Sequence, residues 1–262
     1  MNNLRSLLSS PLIALEFLTP LRLRPVRQWD DRTFGQALAW YPAVGLLIGV
    51  ALLLVDRGLE QLLPPAPTAA LEVALLALLS GGLHLDGVAD TADGLALQGD
   101  RADRLGVMSV GNIGPAGVMS LVIVLLVLWA GLASAAPPVR SAALVLAPAL
   151  GRWSVAPMVV LFHPARPKGL GHALHEGAFP LAVPVATAIA AVAAAALFGP
   201  EGLVLLAVAV VASVVVAGSA SRMLEGVTGD TYGAAIEVTQ AAVLLSIVAA
   251  GGRGWLDPTF LT

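Results

Sequence analysis

The chain of 262 residues contains no cysteine. Disulfides and thiolate metal sites are therefore excluded, and the compartment stays open on that count. Charge is scarce as well. Only 12% of residues are Asp, Glu, Lys or Arg, against about a quarter in soluble domains. The net charge of −3 offers no basic surface, so a nucleic-acid partner is not expected. The N-terminal stretch "MNNLRSLLSSPLIALEFLTPLRLRP" does not read as a cleavable leader, because its apolar part contains Glu16 and has no small-residue cleavage site. It reads either as an amphipathic helix on a membrane surface or as a short packed helix. What the chain has in excess is hydrocarbon: 58% hydrophobic residues and a mean hydropathy of +0.87. That balance predicts an all-α, multi-pass bundle in a lipid bilayer, a single membrane domain over residues 1–262.

A spanning helix needs about 20 mostly apolar residues. Seven stretches qualify, at about 36–55, 66–83, 113–136, 139–162, 179–199, 202–219 and 233–251. The count becomes six if the short second stretch or the seventh, which carries Glu237 and Gln240, is discounted. With the N-terminus inside, the inner segments hold Arg5, Arg22, Arg24, Arg27, Arg32, Arg101, Arg104, Arg166, Lys168 and Arg222, and the outer ones only Arg57, Arg140 and Arg253. This bias predicts that the polar segments 84–112, 163–178 and 220–232 share the cytoplasmic face.

Directly after the second apolar run comes "HLDGVADTADG", residues 84 to 94. If helical, Asp86, Asp90 and Asp93 fall within about 60° of one another on one stripe. Like charges so placed repel, and a divalent cation removes the conflict. Mg²⁺ characteristically uses one or two carboxylates together with substrate phosphates, so the stripe reads as a metal site facing a diphosphate. The alternative is a solvated helix start. "GNIGPAG" offers Gly111, Asn112 and Gly114, whose backbone N–H groups can approach an anion at a helix N-terminus, or simply make a turn with close packing. Arg152 lies inside the fourth span, where a cation costs about 2.5–3.5 kcal/mol, and needs an anionic partner: an aspartate or a phosphate. Arg166 and Lys168 sit on a cationic loop suited to an anionic substrate, or on an interfacial loop that simply follows the positive-inside rule. Asp230 and Glu237 fall seven residues apart and predict a second acidic wall.

Taken together, "EFLTPLRLRP", "YPAVGLLIG", "GGLHLDGVADTADGL", "VM…IGPAGV", "GR" in "ALGRW", "ARPKGLG" and "TGDTYGAAIE" resemble, in this order, the cobalamin synthase family, the adenosylcobinamide-GDP ribazoletransferases. The resemblance runs from about residue 14 to 240. One block departs from it: where the family usually carries Lys, Asp and Arg, this chain has Ser109, Val110 and Asn112. The resemblance implies an inner- or plasma-membrane enzyme, compatible with an oligomer. Its reaction would transfer the adenosylcobinamide phosphoryl group from adenosylcobinamide-GDP to α-ribazole or α-ribazole 5′-phosphate, with release of GMP. Such phosphoryl transfer depends on positioning and charge neutralisation. Mg²⁺ would be held by Asp86, Asp90 and Asp93, and one of these aspartates or His84 would take the hydroxyl proton, with Glu237 also among the catalytic residues. Two other readings fit parts of the pattern. "DTADG" opens like the CDP-alcohol phosphotransferase signature, whose later Gly and Asp positions are missing here. A secondary transporter also places acidic residues in membrane helices, but near mid-membrane rather than clustered at one interface.

Overall fold

The computed structural model describes residues 2–23, 31–178 and 180–258. Arg24 and Arg27, counted above among the inner cations, lie outside the described residues. The described residues form thirteen α-helices and no strand: α1 (Asn2–Leu18), α2 (Asp31–Ala37), α3 (Tyr41–Leu59), α4 (Pro65–Leu79), α5 (Leu83–Ala96), α6 (Arg101–Val107), α7 (Pro115–Ser134), α8 (Pro137–Trp153), α9 (Val155–Leu161), α10 (Leu170–Gly177), α11 (Ala182–Phe198), α12 (Val204–Leu224) and α13 (Gly229–Gly251).

Helix α8 is the axis of the bundle. Every residue from Val139 to Trp153 is buried, as expected of a helix that is enclosed on all sides. Its neighbours come close because they present glycine. A Cβ on Gly45 or Gly49 of α3 would stand 2.4 Å from the Pro148 carbonyl oxygen or 2.6 Å from Val145 Cα, and one on Gly151 would stand 2.9 Å from the Ile236 carbonyl oxygen of α13. In lipid, where apolar burial gives little drive between helices, such small-residue contacts supply the packing. The outer helices α7, α11 and α12 instead leave Val122, Ile123, Leu126, Val192, Val211 and Val215 exposed, a surface suited to lipid.

Five stretches are long and apolar enough to cross a membrane, or six if α4 and α5 count as one bent span. The difference from the seven expected has two physical sources. The 43-residue stretch Ala182–Leu224 is not straight. A Cβ on Gly202 would stand 2.4 Å from the Ala194 carbonyl oxygen, whereas residues eight apart in a continuous helix are separated by about 12 Å. The chain therefore folds back at 199–203, and α11 and α12 are the two arms expected at 179–199 and 202–219. Helix α4, by contrast, has only 15 residues. It ends in a Schellman turn: Gly82 N–H donates to the Ala77 carbonyl and Gly81 N–H to that of Leu78, with both glycines left-handed at φ +72° and +63°. The chain leaves that turn bent by 89° and immediately begins α5. The segment 84–96, expected as part of a polar loop, is thus a packed helix against α7 and α13.

The start of the chain is the packed alternative. Ile13, Ala14 and Leu18 of α1 are buried, and Phe17 meets Phe34 edge to face at 4.8 Å.

Candidate active site

Three polar segments converge at one end of the bundle. The loop 163–168 pairs with 225–228: Ala165 N–H donates to the Val227 carbonyl (2.8 Å), and Val227 N–H donates to that of His163 (2.9 Å). Arg101 of α6 reaches across to the carbonyls of Leu224 and Ala165. Arg166 donates to the Leu105 carbonyl and the Ser109 hydroxyl, each at 2.9 Å. Helix α13 then begins with a capping box, in which Thr228 Oγ1 accepts from Thr231 N–H and Thr231 Oγ1 from Thr228 N–H. The cap fixes Asp230 in the first turn, beside α5. The approach of α5 again depends on glycine: a Cβ on Gly87 would stand 2.6 Å from the Asp230 carbonyl oxygen.

This geometry separates the three aspartates of the opening motif. Asp86 is exposed. Asp90 is buried and feels the charges of Asp86, Asp230 and Asp93, opposed by Arg166. Asp93 is engaged elsewhere. Its Oδ2 accepts from Gly114 N–H (2.6 Å) and its Oδ1 from Gly117 N–H (2.8 Å), so its carboxylate caps the N-terminus of α7. The glycine block does cradle an anion at a helix start, as its composition predicts, but the anion is this carboxylate. A Cβ on Gly117 would stand 2.4 Å from Asp93 Oδ2, so only glycine admits the contact. Gly111 and Asn112 are exposed on the connector before α7 and line none of the recesses described below.

Three recesses adjoin in series: the first meets the second at Asp230 and the third at Asp86. The first is mostly apolar, enclosed by α1, α2, α3, α5, α10 and α13, with His84, Asp86 and Asp230 among its lining. The second shares Leu170, Gly229 and Asp230 with the first and adds Arg166, Lys168 and His172. The third shares Phe17, Leu83 and Asp86 and adds Arg22, Ser80, Gly81 and Gly82. Acidic and basic groups thus stand around one junction. Among the described residues, no three His, Asp or Glu side chains are grouped so as to hold a metal by themselves.

Beneath the junction runs a buried polar chain. His84 is 2% exposed, and neither ring nitrogen has a hydrogen-bond partner. Its Nδ1 lies 3.7 Å from Glu237 Oε1. Glu237 Oε2 accepts from Gln240 Nε2 (3.3 Å), and Gln240 Oε1 accepts from Arg152 Nη1 (3.0 Å). Arg152, expected to grip an aspartate or a phosphate, pairs with no aspartate among the described residues. It is fully buried because α8 is the inner helix, and its Nη1 bonds to Gln240 and to the Pro148 carbonyl. Gln240, legible in the sequence only as a polar interruption of the seventh span, is the connector. A second buried group was missed. Arg140 stands 2.9 Å from Asp56 Oδ1 and 2.7 Å from Glu72 Oε1, joining α8 to α3 and α4. Arg140 had been counted as an outer-loop cation because it follows Pro137 and Pro138 so closely.

Fold and site together define a multi-pass helical membrane protein with charged and apolar recesses adjoining at one end. Within that class the comparisons are specific. Residues 10–248 match the family model described as cobalamin-5-phosphate synthase, and the chain belongs to that family. It is 41% identical over 246 residues to the adenosylcobinamide-GDP ribazoletransferase of Pseudomonas paraeruginosa, covering 93% of this chain and 99% of the relative. The enzyme of the same name from Stutzerimonas stutzeri is 40% identical over 243 residues, covering 92% and 98%, and that of Geotalea daltonii 34% over 241 residues, covering 92% and 97%. No solved structure gives a significant match.

Proposed function

We propose that this chain transfers the adenosylcobinamide phosphoryl group of adenosylcobinamide-GDP to α-ribazole or its 5′-phosphate. A ribose hydroxyl oxygen attacks the phosphorus attached to cobinamide, and the bond from that phosphorus to the bridging oxygen breaks. GMP leaves, and adenosylcobalamin or its 5′-phosphate forms. The observation that carries the reading is the run of three adjoining recesses, joined at Asp230 and at Asp86, in a chain of this family.

The residues present suit Mg²⁺ as a partner of the substrate. Asp86 and Asp230 line the first recess, and Asp90 feels both charges with Arg166 as the opposing one; one or two carboxylates plus substrate phosphates are the usual Mg²⁺ set. Asp93 keeps a structural task, which leaves Asp86 and Asp90, with Asp230 facing them, as the ligands. When bound, Mg²⁺ supplies charge neutralisation of the diphosphate. Arg166 and Lys168 hold phosphate oxygens from the other side of the junction. His84 receives the hydroxyl proton, and Glu237 stabilises the resulting imidazolium. With Arg140 buried in α8, the loop cations stand at ten inner against two outer, Arg57 and Arg253, which supports a cytoplasmic active end in an inner membrane, with the whole chain as one domain.

The test is GMP release by purified protein given adenosylcobinamide-GDP, α-ribazole and Mg²⁺. GMP that appears only with all three supports the reading. No Mg²⁺-dependent GMP refutes it.

A further inference from the structure

We propose that the apolar recess walled by Phe17, Phe34, Tyr41, Leu174, Tyr232 and Ile236 is the subsite for the planar, apolar base of the acceptor nucleoside, and that it sets the choice of base. The inference rests on the function proposed above.

The recess has an aromatic wall. Phe17 and Phe34 pack edge to face, and Phe17 stacks on Tyr41 with ring centroids 6.2 Å apart and planes 22° apart. Leu170 and Leu174 of α10 contribute to the same lining. Two features mark a built site rather than a packing gap. The hydroxyls of Tyr41 and Tyr232 are buried and have no hydrogen-bond partner, and both residues line the recess. A buried unpaired hydroxyl is costly, and small-molecule sites typically combine apolar walls with a few such polar points. The second feature is position, because the same recess holds His84, Asp86 and Asp230. A base seated against the aromatic wall therefore brings its ribose to the proposed proton acceptor and the carboxylates.

The occupant follows from the chemistry of the two substrates. The corrin macrocycle carries a rim of amides, and guanine has a donor- and acceptor-rich edge; each needs many polar partners when buried. The base of α-ribazole, a dimethylbenzimidazole, has one free ring nitrogen and is otherwise hydrocarbon. One tyrosine hydroxyl satisfies that nitrogen, and the aromatic wall covers the rest. The diphosphate is left to the adjoining recess with Arg166, Lys168 and His172.

The experiment uses the full-length protein in detergent and measures KM for acceptor and donor separately. Tyr232→Phe removes an unpaired hydroxyl, so its unfolding temperature should equal or exceed that of the parent. Its KM for α-ribazole should rise about fivefold, the equivalent of one hydrogen bond, with KM for adenosylcobinamide-GDP unchanged. Leu174→Gln should narrow the preference for α-ribazole over an α-linked adenine nucleoside. Binding of free 5,6-dimethylbenzimidazole, followed by equilibrium dialysis, should be saturable in the parent and weakened in both variants. A rise in the donor KM alone, or unchanged acceptor KM and base binding in both variants, overturns the subsite while leaving the proposed function standing. Absence of GMP from the parent overturns the function, and base binding lost in the variants would still support the subsite.

Discussion

Replacing Asp93 with asparagine separates two tasks that the motif "HLDGVADTADG" places side by side. In the structure both oxygens of Asp93 accept from backbone amides at the start of α7, at 2.6 and 2.8 Å. Asparagine keeps one acceptor but turns an NH₂ donor toward the other amide and removes the negative charge from the helix N-terminus. Hydrogen bonds to charged groups contribute about 1.5–3 kcal/mol each and the helix-end charge about 0.3–1 kcal/mol, so Asp93→Asn should cost about 2–4 kcal/mol of stability. Asp93→Ala, which abandons both amides in a buried place, should cost more. Asp90→Asn should behave in the opposite way. Asp90 sits among like charges from Asp86, Asp230 and Asp93, so removing its charge should leave stability unchanged or raise it, while turnover falls by orders of magnitude. The assay pairs unfolding in detergent with GMP release at varied Mg²⁺. For Asp93→Asn the residual activity should keep the parent's Mg²⁺ dependence. For Asp90→Asn the Mg²⁺ requirement should move to higher concentration. If Asp93→Asn unfolds like the parent and shifts the Mg²⁺ dependence, the capping argument is wrong and Asp93 is a ligand.

Arg140→Met should lower stability by about 3–5 kcal/mol, because it leaves Asp56 and Glu72 buried without their shared cation; an unchanged unfolding midpoint would show that the ion triad contributes nothing. Gln240→Leu should cut the link between Arg152 and Glu237 and lower kcat through His84, within the 10²–10⁴-fold that a positioned base contributes, with the Mg²⁺ dependence unaltered; wild-type kcat would leave the buried chain as packing only. Single cysteines at the exposed positions Ser109, Pro167 and Arg222 should be labelled by an impermeant thiol reagent only after cells are opened, and cysteines at Glu60 and Glu201 in intact cells; labelling of Ser109→Cys from outside would reverse the orientation.

Much of the bundle was legible because lipid imposes a simple rule: a span must be long and apolar. That rule located the helices around α3, α7, α8 and α13 within a few residues. It failed where tertiary contacts decide. The 89° bend between α4 and α5 depends on two left-handed glycines, and "SGG" reads equally well as a loop. Helix α5 counts as polar by composition, yet His84, Asp90 and Asp93 are buried because α7 and α13 enclose it. The sequence could place Asp86, Asp90 and Asp93 on one stripe, since that follows from 3.6 residues per turn. It could not tell that Asp93 faces the amides of Gly114 and Gly117, 21 and 24 residues further on. Likewise the aromatic recess draws Phe17, Phe34, Tyr41 and Tyr232 from four helices, and no local pattern joins them.

The two ends of the bundle handle charge in contrasting ways. At one end, Asp56 and Glu72 share the single cation Arg140 at salt-bridge distance, with all three side chains shielded. A buried cluster held so closely ties helices together and has little capacity left for a ligand. At the other end, Asp86, Asp90 and Asp230 act on one another while Arg166 spends donors on Leu105 and Ser109. Here the carboxylates stand without a close ion pair among the described residues, where the recesses open. Folding alone gives no reason for that repulsion, since like charges placed together destabilise the folded chain. A cation and a polyanionic substrate arriving together would resolve it. That difference in pairing and access, rather than the number of acidic residues, distinguishes the structural ion cluster from the candidate active site. In the block "MSVGNIG" the Ser109 hydroxyl accepts from Arg166, so this position supports a cation of the second recess without carrying a charge of its own.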